Sequence, residues 1–497
     1  MNKPLSIYKN TAFLSALSVL ERSLGFFYRI VLARLLGAEG LGVYQIAVSH
    51  FFLLRTLGGG GIPVTLSRTV AKNNAENHGE KNGAALIAAL SLTLLITLPL
   101  TMFILLFADK IAFFDGDGGL LKILVVGLSF TGAYAAIKGF FWGNKEFVAP
   151  ALFEFFEEIA MTVVGAALLL SVKDFSPERG AGLAAIAMTA ACVFSFALAL
   201  VTLLTKKIKF SSPLPELKPL IASAAPVTAI RAGSTLISSA VAVLLPAALV
   251  RAGMTESEAL QAFGVATGMV LPLLTMPMTV VGSLATVLVP TMSEAFHKRN
   301  FKALTASVER GLTFTVLLAC GLLPLFNAVG YDLGAVAYGN LLAGEMLQKS
   351  GILLLPMSLC AISQSMVNSL GFEKQSFAFS CVGSALFLAC VVFLPRVFGV
   401  YAYLVGLGVE FTAVTACSLT FLFKRCPPKK TFFVKSFLAL ALTLPVSLFG
   451  NAATDVLQRT LGEIPALLIS GLLIAAVTVG LFAAFRLFSK RELKKNL

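Results

Sequence analysis

Arginines and glutamates set inside otherwise apolar stretches carry whatever chemistry this chain performs. Glu21, Arg22 and Arg29 lie in the first apolar run, Arg55 in the second, Glu154, Glu157 and Glu158 in the fifth, Arg231 in the seventh and Glu410 in the twelfth. A charged side chain at mid-bilayer costs about 2.5–3.5 kcal/mol on insertion scales, so each needs a reason to be kept. Arg22 and Arg29 are two helical turns apart, which places them on one face about 10 Å apart along the axis. Arg55 can join them, and Arg231, one to two turns into its helix, can face them. A guanidinium donates a planar fork of hydrogen bonds to phosphate and keeps its charge, so as a set these arginines suit an anionic ligand. The competing reading pairs each arginine with a buried acid and makes it a helix lock.

Glu154, Glu157 and Glu158 stand at i, i+3 and i+4, three carboxylates on one helix face. They suit a site that holds a coupling proton or cation, or they neutralise Arg22, Arg29 and Lys138; Glu21 and Glu410 invite the same two readings. Gln364 and Asn368, one turn apart, would meet sugar hydroxyls or link helices, and His50 reads as a packing residue. Pro63 after Gly58–Gly61, and Pro272 with Pro277, remove backbone hydrogen bonds and predict kinks at matching places in two halves. Those kinks are either gates or the ordinary prolines of membrane helices.

The elements that position these residues are membrane helices. Of the 497 residues, 57% are hydrophobic and 13% charged, which excludes a soluble globular class. Apolar runs of roughly 20 residues recur along the chain, whereas an outer-membrane barrel strand needs about 10 of alternating polarity. The expected fold is all-α, with about fourteen transmembrane helices. They are placed near 10–36, 41–70, 84–108, 120–142, 148–172, 181–205, 219–250, 259–292, 303–329, 350–371, 376–395, 400–423, 432–450 and 464–487.

Basic residues collect in alternate loops, such as Lys206, Lys207, Lys209 and Lys218, and in the tail with Lys490, Arg491, Lys494 and Lys495. The opposite loops hold Asp115, Asp332 and Glu345. By the positive-inside rule both termini are cytoplasmic, in a bacterial inner membrane. This pattern accounts for the net charge of +14 without a nucleic-acid partner. The seven cysteines have no metal-ligand spacing and read as small core residues, so neither metal nor cofactor is expected.

A weak internal repeat sets Gly42-Val43-Tyr44 and Pro63 through Lys72 against Gly264-Val265-Ala266 and Pro290 through Arg299. It predicts two six-helix lobes in the same orientation, residues 1–216 and 217–430, with 431–497 an appended pair of helices and a basic tail. Such repeats are typical of transporters that rock about a central site.

The run from Glu21 to Tyr44 (ERSLGFFYRIVLARLLGAEGLGVY) resembles the opening of the stage V sporulation protein B and polysaccharide biosynthesis exporter family. Gly61-Ile62-Pro63-Val64, followed by Ser67-Arg68 and Val70-Ala71-Lys72, resembles the end of that family's second helix. The family belongs to the multidrug, oligosaccharidyl-lipid and polysaccharide exporter superfamily, which includes lipid II flippases. The resemblance implies two lobes around a cationic cavity, with a groove near the appended helices for a lipid tail. Arg22 matches the flippases' first cavity arginine and Arg55 the one late in their second helix. Arg29 falls one position later than in the lipid II proteins but fits the sporulation-type pattern. Phe263 through Pro272 departs from the lipid II pattern by lacking an arginine, a place that Arg231 would fill from helix seven.

The function so implied is that of a non-enzymatic, monomeric, alternating-access flippase carrying a polyprenyl-pyrophosphate-linked saccharide among membrane lipids, for a polysaccharide or a peptidoglycan precursor. Arg22, Arg29, Arg55, Arg231, Gln364 and Asn368 would bind the cargo; a proton, a sodium ion or the membrane potential would drive it. The rivals are a cation-coupled drug exporter, which wants acids and aromatics in its cavity, a membrane glycosyltransferase or polymerase, and a non-transporting scaffold. An outer loop from Tyr331 to Lys349 offers a transferase little beyond Asp332 and Glu345.

Overall fold

The structure, a computed structural model, describes residues 4–111, 117–172, 176–206, 208, 212–485 and 487. Asp115, Lys207, Lys209 and the tail residues Lys490, Arg491, Lys494 and Lys495 lie outside the described residues. Every regular element among the described residues is helical. In chain order these are α1 (Pro4–Gly59), α2 (Ile62–Ala75), α3 (Asn82–Ile111), α4 (Asp117–Gly143), α5 (Val148–Ser171), α6 (Pro177–Leu204), α7 (Leu214–Arg251) and α8 (Glu256–Gly264). A π-helical stretch, Val265–Val270, leads into α9 (Leu271–Thr275), α10 (Met278–His297), α11 (Phe301–Tyr338), α12 (Leu341–Ser350) and α13 (Leu354–Ser369). The chain continues through α14 (Glu373–Phe393), α15 (Pro395–Phe398), α16 (Ala402–Phe423), α17 (Lys430–Leu461) and α18 (Glu463–Ala484).

Thirteen helical segments among the described residues are long and apolar enough to cross a membrane. The first, Ala16–Ala75, has 60 residues and holds two crossings, divided at Gly37 (φ 67°, ψ 179°), a backbone region that glycine alone enters cheaply. α5, with three glutamates, is too charged to be counted among the thirteen, yet its 24 residues are long enough to span. The eighth expected helix is two pieces, Glu256–Thr275 and Met278–His297. Pro277, the N-cap of α10, marks the break between the pieces, whereas Pro272 sits within the first piece, where the π-helical stretch passes into α9. The fourteen expected crossings are thereby recovered.

The stretch from Tyr331 to Lys349, expected as an outer loop, is largely helical. α11 runs on to Tyr338 and stops at Gly339 (φ 65°); Asn340 then caps α12 by accepting from the Ala343 amide at 3.0 Å.

The helices form two compact units, Met1–Pro246 with Thr255–Gly264, and Ala247–Met254 with Val265–Leu497. Most of α7, expected to begin the second lobe, groups with the first unit. The reason is local: Leu220 and Ala224 of α7 belong to a buried core with Ile62, Leu66, Ile137, Phe141 and Phe153. Within this unit α1 crosses α8 at Gly42 and Gly264, where a Cβ on Gly264 would overlap the Ala38 carbonyl and one on Gly42 the Leu260 carbonyl. The two glycines matched as repeat equivalents are thus packed against each other, a small-residue crossing of the kind that lets membrane helices approach closely.

The second unit is built around Val281, Met292, Val308, Leu312, Ile362 and Leu422. α17 and α18 pack on α11 there, through Cys320 with Ala439 and Phe482, and Ala328 with Val446 and Ile474.

Candidate functional site

The first unit gathers most of the charged residues singled out above. α1 supplies Glu21, Arg22, Arg29 and Arg55; α5 supplies Glu154, Glu157 and Glu158; α4 supplies Lys138. Gly25 allows this approach, since a Cβ there would lie 2.6 Å from Glu158 Oε1. The groups form one electrostatic network. Glu21 feels Glu154, Lys138, Arg22 and Glu157; Glu157 feels Arg55, Glu154 and Lys138; Glu158 feels Glu21, Glu157 and Arg29.

Within the network the two signs are treated differently. Lys138 forms an ion pair with Glu154 at 19% and 31% side-chain exposure, and its ammonium sits 4.6 Å from the centre of the Trp142 ring. Glu21, Glu157 and Glu158 are half-buried. Arg22, Arg29 and Arg55 are exposed, and among the described residues none of them makes an ion pair or a hydrogen bond. A guanidinium left open at this depth is tolerable only where water reaches it, because hydrocarbon would exact the full cost of an unpaired charge. By exposure, the carboxylates are thus the rear members of the network and the guanidiniums the front ones. With Lys138 counted, four cations of α1 and α4 stand among four glutamates of α1 and α5, and what distinguishes the arginines is exposure.

Arg231, also exposed, is engaged otherwise: its Nη1 donates to the Gly60 carbonyl at 2.7 Å, at the break between α1 and α2. Pro63 lies in the first turn of α2, just past that break. In the second unit, Gln364 donates to Ser380 Oγ at 2.8 Å, tying α13 to α14, and Ser384 donates to Glu410 Oε1 at 3.0 Å, tying α14 to α16. Asn368 is exposed near the end of α13.

Two contributors were hard to see in the sequence. Lys138 was visible only as a counter-ion, although a lysine late in an apolar helix already signals a buried partner. Thr228, which accepts from the Gly61 amide at 3.0 Å, carries no signal at all, since threonines are common in these helices.

The chain is similar to known proteins in sequence and in fold. Stage V sporulation protein B of Bacillus subtilis (strain 168) is 24% identical over 345 residues, 67% of this chain and 67% of that protein. Sporulation protein YkvU of the same organism is 22% identical over 320 residues, 62% of this chain and 70% of its own length. Among solved structures, the lipid II flippase MurJ in an inward closed conformation superposes with a TM-score of 0.70 at 16% identity, over 96% of this chain and all of that one. An inward-facing multidrug resistance MATE family transporter of the MOP superfamily gives 0.66 at 14% identity, over 82% and 94%. These structural likenesses establish the fold, that of a multi-pass membrane protein. Residues 7–296, which include α1 with its arginines and the carboxylates of α5, match the polysaccharide biosynthesis protein family, and the chain belongs to that family.

Proposed function

We propose that this protein is an alternating-access flippase that moves a polyprenyl-diphosphate-linked saccharide from the inner to the outer leaflet of a bacterial membrane. The observation that carries the reading is the exposure of Arg22, Arg29 and Arg55, free of any ion pair among the described residues, on a membrane helix. A diphosphate offers several charged acceptor oxygens to such a set, and hydrogen bonds to charged groups contribute about 1.5–3 kcal/mol each. Family membership and a fold shared with a lipid II flippase support the same cargo class. The carboxylates behind the arginines hold them in place and are the groups able to take up a coupling cation. No covalent step is part of the proposal.

A drug exporter handling organic cations would present its carboxylates in front. Here Glu157 and Glu158 are half-buried while the arginines are exposed, which favours anionic cargo.

The test is translocation of a polyprenyl-diphosphate saccharide in proteoliposomes, together with native mass spectrometry of the lipid that co-purifies. Arg22→Ala, Arg29→Ala and Arg55→Ala should each lower transport at least tenfold with normal expression. Unchanged transport in all three, or a co-purifying lipid without phosphate, refutes the reading.

A further inference from the structure

The break between α1 and α2 is fastened from outside, and Arg231 is half of the fastening. Pro63 has no amide to offer the Gly59 carbonyl, and its ring crowds that carbonyl, so a helix running through this point loses its continuity. Gly60 and Gly61 add flexibility that weakens it further. α1 accordingly ends at Gly59 and α2 starts at Ile62. Backbone groups freed at such a point inside a membrane must find partners.

Two of them find partners on α7. The Gly61 amide donates to Thr228 Oγ1 at 3.0 Å, and the Gly60 carbonyl accepts from Arg231 Nη1 at 2.7 Å. Thr228 and Arg231 are three residues apart, hence on one helix face. The approach is close enough that a Cβ on Gly61 would lie 2.8 Å from Thr228 Oγ1 and overlap the Ala224 carbonyl. A threonine hydroxyl is a fixed local partner, but an arginine on a neutral carbonyl is under-used. Four of its five N–H donors face no protein acceptor among the described residues, and a carbonyl is a weaker acceptor than a phosphate.

We infer that Arg231 is a two-position residue. It caps the Gly60 carbonyl when the site is empty, and it transfers to an anion held at Arg55, which removes one of the two bonds that fasten the break to α7 and leaves the other weak enough to yield. Gly60 lies five residues beyond Arg55, about 7.5 Å along the axis and about 140° round it at helical geometry, so Arg231 must leave the carbonyl and swing round the helix end to share one diphosphate with Arg55. Cargo binding thereby frees the start of α2 to pivot, and the same residue discriminates a diphosphate from a smaller anion that reaches Arg55 alone. This release step rests on the anion site proposed above; the fastening itself does not.

Hydrogen–deuterium exchange of the full chain in nanodiscs, read on peptides covering residues 56–66, tests both parts. Arg231→Ala and Thr228→Val should each speed exchange around Gly60 and Gly61 at least tenfold, while Arg231→Lys, which retains a donor, stays within threefold of the wild type. Inorganic pyrophosphate, or a polyprenyl diphosphate in the bilayer, should speed exchange in the wild type and add nothing in Arg231→Ala; inorganic phosphate should leave the wild type unchanged. If only the polyprenyl form acts, the tail is required to seat the diphosphate, and the exchange of partners stands. Unchanged exchange in Arg231→Ala and Thr228→Val overturns the fastening. Calorimetric binding of both diphosphates without accelerated exchange overturns the release step, whereas the absence of any binding overturns the anion site.

Discussion

Lys138→Met tests the division of the network into a paired rear layer and an open front layer. Lys138 is not exposed in the front layer, so a purely local view predicts that its loss leaves cargo binding intact. The structure predicts otherwise. Removing the ammonium strands the Glu154 carboxylate at 31% exposure beside Glu21 and Glu157. A partly buried carboxylate that loses its partner seeks the nearest mobile cation, and the candidates are Arg22 and Arg55, which share its acidic neighbours Glu21 and Glu157. An arginine drawn back to Glu154 is withdrawn from the cargo, at about 1.5–3 kcal/mol for a lost hydrogen bond to a charged group. At about 1.4 kcal/mol per tenfold, that weakens diphosphate binding by roughly 10- to 150-fold. The double variant Lys138→Met/Glu154→Gln removes the stranded charge as well as its partner and should return binding to within about threefold of the wild type. Pyrophosphate titration by calorimetry, alongside transport in proteoliposomes, reads both. Wild-type binding in Lys138→Met, or a double variant as weak as the single one, refutes the layered arrangement.

Further substitutions probe how the helices hold the site. Gly42→Ala drives a Cβ into the Leu260 carbonyl and should cost about 1–3 kcal/mol, seen as a lowered unfolding midpoint in detergent. Gly25→Ala meets only the movable end of Glu158, so the same measurement should stay near wild type. Gly37→Ala forces an alanine into φ 67°, ψ 179° and should destabilise by about 1–3 kcal/mol, checked in the same assay. Ser384→Ala strips Glu410 of its hydrogen bond and should lower stability by about 1–3 kcal/mol, with Ser384→Thr restoring most of the loss.

The helices were legible in the sequence because bilayer thickness sets the length of an apolar run, and Pro63 and Pro277 already marked the breaks before α2 and α10. The acidic face of α5 and the shared face of Arg22 and Arg29 follow from helical periodicity, so the rear and front layers were half visible. What periodicity leaves open is the choice of partner. Whether Lys138 or an arginine takes Glu154 depends on side-chain reach across α4 and α5, and sequence spacing within one helix says nothing of that. For the same reason the sequence offers Arg231 as a cargo ligand but does not show that its guanidinium lies on the Gly60 carbonyl, at a break that Pro63 makes in a different helix. The stretch after Tyr331 read as a loop since it lies beyond an apolar core of ordinary length; an αL glycine and an asparagine cap turn it into helix instead.

Placing guanidiniums in a membrane and keeping them available are opposing demands. A carboxylate bound tightly to each arginine would answer the first and defeat the second, since cargo would then have to displace a strong ion pair. Leaving each arginine alone would answer the second at a cost no helix could absorb without nearby water. The network on α1, α4 and α5 meets both demands by placing Glu157 and Glu158 within electrostatic reach of Arg55 and Arg29 but outside ion-pair distance. Attraction at that range lowers the cost of the charge without saturating its hydrogen-bond donors. Lys138 takes Glu154 and so keeps that acid from the arginines. On the proposed function, the site gains its strong, short-range bonds only when an anion arrives, which is the condition for a carrier that must bind its cargo on one side and release it on the other.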